Sequence, residues 1–97
     1  MNLFYFWLKS ADLAIARVAN RVKAGGHHVP EATIRQRYTR SVRNLFDLYM
    51  PAVTTWKVYD NSEGGPRLLA EGSQNGAITI SDSEMWQRVQ EVRKYEG

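Results

Sequence analysis

Hydrophobic residues follow two different spacings along the chain, and these spacings predict strands alternating with helices. Residues 3–8 form a continuous apolar and aromatic run, which predicts a strand covered on both faces, as in a parallel sheet. From residue 11 to residue 23 the apolar positions recur every three or four residues, which predicts a helix. Ser10 is placed to cap its start, and Gly25 and Gly26 are placed to end it.

A second helix is predicted from Pro30 to about residue 49, because proline suits a first helical turn and Pro51 prevents continuation. Its periodicity separates an apolar face from a basic stripe. The stripe contains Arg37, Arg40 and Arg43, and the apolar face contains Ile34, Tyr38, Val42, Leu45, Phe46 and Tyr49.

The remainder of the chain predicts a strand over residues 55–59, a loop over 60–66, a hairpin and a last helix. The hairpin pairs residues 67–71 with 77–80 around the turn residues Asn75 and Gly76. Ser81 and Glu84 form a capping box, followed by inward-facing Met85, Trp86, Val89 and Val92. The predicted order of strand, helix, helix, strand, hairpin and helix is an α/β arrangement within one small domain, residues 1–97.

Composition narrows the class of protein. Eleven aromatic residues argue against disorder, and the absence of Cys excludes disulfides, thiolate metal sites and a Cys nucleophile. No stretch approaches the roughly 20 apolar residues of a membrane span. We therefore expect a soluble, cytoplasmic protein with no membrane partner.

Positive charge is concentrated in the first half of the chain. Residues 1–47 carry eight basic and three acidic side chains, whereas residues 48–97 carry five basic and seven acidic ones. Arg17, Arg21, Arg35 and Arg37 flank the glycine-containing connector, where they could clamp a polyphosphate. Arg40 and Arg43, in contrast, are expected to lie on a solvated helix face, which is the usual role of charge on an amphipathic helix.

Other candidate chemistry is sparse. His27 and His28 are adjacent but have no neighbouring carboxylate or Cys cluster, so we expect a positioning role and no metal site. Asp60 ends a predicted strand, a typical active-site location, although an Asx-turn at the start of the following loop is the favoured explanation. The chain contains no G-x-x-x-x-G-K-[ST] phosphate-binding loop, no G-x-G-x-x-G and no G-x-S-x-G.

Several consecutive motifs resemble the C-terminal part of zeta-toxin-like P-loop kinases, a group described as predicted ABC-type ATPases. Members show R-V-x-x-R-V, then G-G-H-x-[VI]-P-E-x-x-I-x-R-R-Y, then R-N-L-F-x-L-Y, Y-D-N-S and P-R-L-[IL]-A-E-G. The matching segments here are RVANRV at 17–22, RVKAGGHHVPEATIRQRY at 21–38, RNLFDLY at 43–49, YDNS at 59–62 and PRLLAEG at 66–72. The likeness extends over nearly the whole chain, in order.

The resemblance implies a partial P-loop kinase sheet that lacks the N-terminal, P-loop-bearing half. It implies a lid over residues 21–38 that hinges at Gly25, Gly26 and His27. Arg21 and either Arg37 or Arg35 would approach the ATP phosphates, and Arg37 is the preferred choice. Gln36 stands where many members have Arg, so one cation is missing.

Two classes of function are therefore considered. In the first, the chain is the lid-bearing part of a zeta-toxin-like ATP-dependent kinase of the toxin–antitoxin type, inactive unless a P-loop-bearing polypeptide supplies the sites for ATP and Mg²⁺. Zeta toxins phosphorylate nucleotide-sugar precursors of peptidoglycan, but the substrate residues lie mostly in the other half and cannot be transferred to this chain. In the second, the basic helix binds nucleic acid or an acidic protein. Pairing of the first strand with a second copy, giving a homo-oligomer, could accompany either function.

Overall fold

The computed structural model describes residues 1–94, which form a four-stranded mixed sheet and three α-helices. One π-helical turn, Leu45–Tyr49, and a 3₁₀ turn, Met50–Ala52, continue the second helix. The elements in chain order are β1 (Asn2–Trp7), α1 (Ala11–Lys23), α2 (Glu31–Asn44), β2 (Thr55–Asp60), β3 (Arg67–Ser73), β4 (Ile78–Ile80) and α3 (Ser83–Lys94). This order confirms the predicted α/β class and each predicted element.

The sheet has the strand order β1-β2-β3-β4. β1 and β2 are parallel and are joined by the helical connection α1–α2, as parallel neighbours require. β3 pairs antiparallel with both β2 and β4. The β3–β4 turn depends on Gly76, whose φ of 90° suits glycine. In the described part of the chain, β1 therefore forms one edge of the sheet.

The hydrophobic core lies on one face of the sheet, beneath α2 and α3. Trp56 of β2 stacks on Trp86 of α3, with ring centroids 5.6 Å apart and planes inclined by 15°. This pair attaches the last helix to the sheet. The buried core cluster contains Trp7, Val42, Leu45, Val53, Trp56, Val58, Leu69, Ala70, Trp86 and Val89.

The prediction that β1 is covered on both faces is wrong. Leu3 and Tyr5 pack against the core and Trp7 is buried in it, but Phe4 and Phe6 are 55% and 52% exposed. Side chains alternate across a strand, so the exposed pair lies on the opposite face from the core. Phe6 stacks on Tyr59 of β2 at 5.4 Å, which leaves much of that face open.

Helix starts are set by local hydrogen bonds. The Ser10 hydroxyl accepts a bond from the Leu13 N–H, which confirms the predicted cap of α1. The predicted cap at Ser81 is wrong, because the Asp82 carboxylate accepts from the Met85 N–H and the helix begins at Ser83. Met85, Trp86, Val89 and Val92 do pack inward as predicted.

Tyr49 is 48% exposed, contrary to its predicted place on the apolar face of the second helix. The π turn is wider than an α turn and shifts the residues within it away from the 3.6-residue period. Among residues 1–94, no helix is both long enough and apolar enough to cross a membrane.

Candidate functional site

The predicted lid segment is an exposed connection between α1 and α2. Gly25 has a φ of 103°, and the Gly26 N–H donates to the Arg21 carbonyl at 2.8 Å. A Cβ atom at Gly26 would lie 2.9 Å from that same oxygen, so the turn requires glycine there as well. His27 and His28 follow in the exposed loop. The backbone conformation of the turn therefore explains why both positions are glycine.

The arginines proposed for the lid are distributed over different surfaces. Arg21 is exposed in the last turn of α1. Arg37 lines a small cavity of about 290 Å³ that Val18 and Val29 also line. Arg35 lines a different, larger groove and donates to Asp12 at 2.5 Å. Two residues along a helix correspond to a rotation of about 200°, so Arg35 and Arg37 cannot converge on one ligand without rearrangement.

Asp60, at the carboxyl end of β2, is buried and engaged in the loop that follows. Its Oδ1 accepts from the Ser62 N–H at 3.0 Å and from the Ser62 hydroxyl at 2.5 Å. Its Oδ2 lies 4.0 Å from the Arg67 guanidinium. The Arg17 guanidinium donates to the Asn61 carbonyl at 2.6 Å. These contacts are those of an Asx-turn, the structural alternative predicted for this residue.

A groove of about 890 Å³ lies between α2 and α3, near the carboxyl end of β1. Trp7, Lys9 and Ala11 line it from the β1–α1 connection, and Arg88, Glu91 and Val92 line it from α3. We refer to this cavity as the α2–α3 groove. Its charged lining residues are Lys9, Arg35, Arg40, Arg43, Arg88 and Glu91.

Tyr38 and Arg88 join the two helices to the end of β1. The Tyr38 hydroxyl donates to the Leu8 carbonyl at 2.5 Å, and Arg88 Nη2 donates to the Lys9 carbonyl at 3.1 Å. Burial, together with the smaller effect of the nearby Tyr5, raises the pKa of Tyr38 to about 12. The phenol therefore remains protonated at neutral pH and keeps donating to the backbone.

Sequence reasoning did not identify Trp7, Lys9 or Arg88 as site residues. Lys9 follows the end of a parallel strand, where open α/β sheets commonly bind ligands, so a signal existed. Arg88 has no such signal, because it lies in the last helix and reaches the groove only through the packing of α3.

No metal centre can be assigned in residues 1–94, since they bring together no group of three or more His, Cys, Asp or Glu side chains. Comparison of the chain with family models, with curated proteins and with solved structures gives no match. The function must therefore be argued from the chain itself.

Proposed function

We propose that this chain is the lid-bearing part of a zeta-toxin-like kinase that transfers a phosphoryl group from ATP. Catalysis would require a P-loop-bearing polypeptide, whose strands pair along the free edge of β1. The observation that supports the proposal is this edge, a parallel strand whose residues Phe4 and Phe6 are about half exposed. Parallel strands are normally covered on both faces, so partner strands and their helices would complete the sheet.

Under this proposal the chain supplies cations and the partner supplies the phosphate loop. Phosphoryl transfer needs positive charge around the γ-phosphate as charge redistributes in the transition state. Arg37 and Arg21 are the residues assigned to that role, with Gly25 and Gly26 as the hinge that lets α2 approach. Arg35 is the second choice, because its guanidinium is held by Asp12. ATP and Mg²⁺ would bind productively only at the completed site.

The first test is reconstitution. The chain is mixed with a separately produced P-loop half of a zeta-toxin-like kinase, and ADP formation from ATP is measured with each half alone and with both. We expect turnover only in the mixture, and Arg37→Gln should lower it by about 10³-fold or more. Lys94→Gln removes one charge from the end of α3 and serves as the matched control, with little expected change.

The proposal fails if the isolated chain hydrolyses ATP and Arg37→Ala abolishes that activity. It also fails if the two halves associate but do not turn over ATP. Sedimentation of the isolated chain tests whether the β1 edge binds a second copy of the chain. A stable homodimer that Phe6→Lys disrupts would assign the edge to that copy and not to a P-loop-bearing polypeptide.

A further inference from the structure

Among the residues that the structure describes, the charged lining of the α2–α3 groove is mainly cationic. Lys9 pairs with Glu63 at 2.7 Å and Arg35 pairs with Asp12 at 2.5 Å, and neither carboxylate lines the groove. Arg40 and Arg88 line it from opposite helices, and Glu91 is the one carboxylate among the described lining residues. A concave surface with a surplus of guanidinium groups favours an anionic ligand.

Arg88 is held in place from two sides. Its Nη2 donates to the Lys9 carbonyl at 3.1 Å, and its Nη1 contacts the Met85 sulfur at 3.8 Å. A guanidinium has five N–H donors in a rigid plane, so these two contacts use only part of its capacity. Because the side chain is already anchored, less rotamer freedom is lost when a further acceptor binds.

Trp7 provides a second, independent observation. Its side chain is 1% exposed and lines the groove. Within residues 1–94 its indole Nε1–H has no hydrogen-bond partner, and it is the one buried side-chain polar atom there without one. Buried N–H groups are almost always paired, so an unpaired one beside a groove indicates that a ligand acceptor belongs there.

We propose that the α2–α3 groove binds a ligand through a di- or triphosphate group. Phosphate oxygens accept several N–H bonds at once and match the arginine fork. Cations from α2, α3 and the β1–α1 connection suit more than one phosphate, and about 890 Å³ is within the range of small-molecule sites. The groove also lies at the carboxyl end of a parallel strand, the usual ligand side of an open sheet. Arg40 and Arg88 bind the phosphates from opposite helices, and Trp7 Nε1 donates from the floor.

The inference is independent of the proposed kinase function. It uses neither the β1 edge nor Arg21 and Arg37, which lie outside the groove. The two can therefore fail separately. Pyrophosphate binding by the isolated chain tests the groove, whether or not reconstitution yields turnover.

The test is calorimetric titration of the complete chain with inorganic pyrophosphate. We expect Arg88→Gln and Arg40→Gln each to weaken binding by about tenfold or more, because each removes a charge-assisted donor. Lys94→Gln, with the same loss of charge outside the groove, should change the dissociation constant by less than about twofold. Equal effects of all three substitutions, or no binding by the unchanged protein, would overturn the proposal.

The NMR chemical shift of the Trp7 indole N–H distinguishes binding at this site from nonspecific charge attraction, which would not change it. Three Trp residues give three indole resonances in a ¹⁵N-labelled sample, and Trp7→Phe identifies the one from Trp7. Pyrophosphate should shift the Trp7 resonance and leave Trp56 and Trp86 nearly unchanged. Binding with no shift at Trp7 would contradict the assigned site.

The source of the phosphate group is resolved by three further titrations. Binding of ADP at least as tight as that of pyrophosphate, with no binding of adenosine, assigns a nucleotide. Tighter binding of pyrophosphate assigns a polyphosphate without a recognised base. A short RNA that binds far more tightly than either, and loses affinity equally in Arg40→Gln and Lys94→Gln, would overturn the proposal in favour of a nucleic-acid surface.

Discussion

Gly72 of β3 is the position where one added methyl group should disturb the core most directly. A Cβ atom built there would lie 2.5 Å from Trp56 Cε2 and 2.8 Å from Trp56 Nε1, and it would also overlap Cζ2. Favourable carbon–carbon contacts lie at about 3.5–4.0 Å, so the overlap is about 1 Å. Trp56 is only 5% exposed and is stacked on Trp86, so it cannot swing aside.

The cost of Gly72→Ala follows from these contacts. Overpacking a filled core costs about 1–3 kcal/mol. Disturbing the stacked Trp56–Trp86 pair costs about 0.5–1.5 kcal/mol more. We therefore expect a decrease of about 3 kcal/mol in the free energy of unfolding, against a total of about 5–15 kcal/mol for a small domain. At roughly 4–8 °C per kcal/mol, the melting temperature should fall by about 12–24 °C.

Urea and thermal unfolding of four proteins test this explanation. The set is the unchanged chain, Gly72→Ala, Trp56→Leu and the double variant, which form a double-mutant cycle. Since leucine lacks the overlapping indole atoms, Gly72→Ala should cost less than about 1 kcal/mol in the Trp56→Leu background. Gly64→Ala is the control, because the added Cβ meets nothing within 4 Å and only its φ of 66° is unfavourable. An equal cost of Gly72→Ala in both backgrounds would refute the steric explanation.

Three further predictions concern the helices. Because burial raises the pKa of Tyr38 to about 12 from an ordinary value of 10.0, the phenol ionises first in the unfolded chain. The contribution of Tyr38 to the free energy of unfolding should therefore be constant below pH 10 and decrease between pH 10 and 12. Denaturant titrations across this pH range should show a smaller decrease in the free energy of unfolding for Tyr38→Phe than for the unchanged protein. Tyr49→Phe should show the same decrease as the unchanged protein. Asp82→Ala should lower the free energy of unfolding by about 1 kcal/mol through loss of the α3 cap, and Asp82→Ser should retain most of it; equal losses in urea would contradict the cap. Gly26→Ala should reduce thermal stability by about 1–3 kcal/mol, because its Cβ would meet the Arg21 carbonyl, and an unchanged melting temperature would show that the turn can shift.

Secondary structure was predictable because its signals are local. The period of apolar residues in α1, the stop at Gly25 and the turn at Gly76 each depend on residues within a few positions of one another. The error at Ser81 is of the same local kind. Ser81 and Asp82 are adjacent and both are good caps, so the local pattern does not choose between them, and the structure uses Asp82.

The candidate sites were less predictable from the sequence, because they depend on which faces of the helices and of the sheet pack against each other. The apolar run of β1 is compatible with burial on one face or on two, and only the position of the helices leaves Phe4 exposed. Arg35 and Arg37 are equivalent as residue types, but the rotation of α2 directs them to different cavities. Arg88 is 79 residues from Lys9 along the chain, and its hydrogen bond to the Lys9 carbonyl has no counterpart in any local pattern.

By itself the sequence determined the α/β class, the order of the elements, the ends of α1 and the surplus of arginine in the first half. These properties follow from side-chain period, backbone preference and charge, all of which can be read within short windows. Only the tertiary structure decided that the core lies on one face, that the Arg88 guanidinium donates to the Lys9 carbonyl and that a basic groove opens between α2 and α3. The physical reason is that burial and hydrogen-bond partners are set by contacts between residues far apart in the chain, and these contacts exist only once the helices have packed on the sheet.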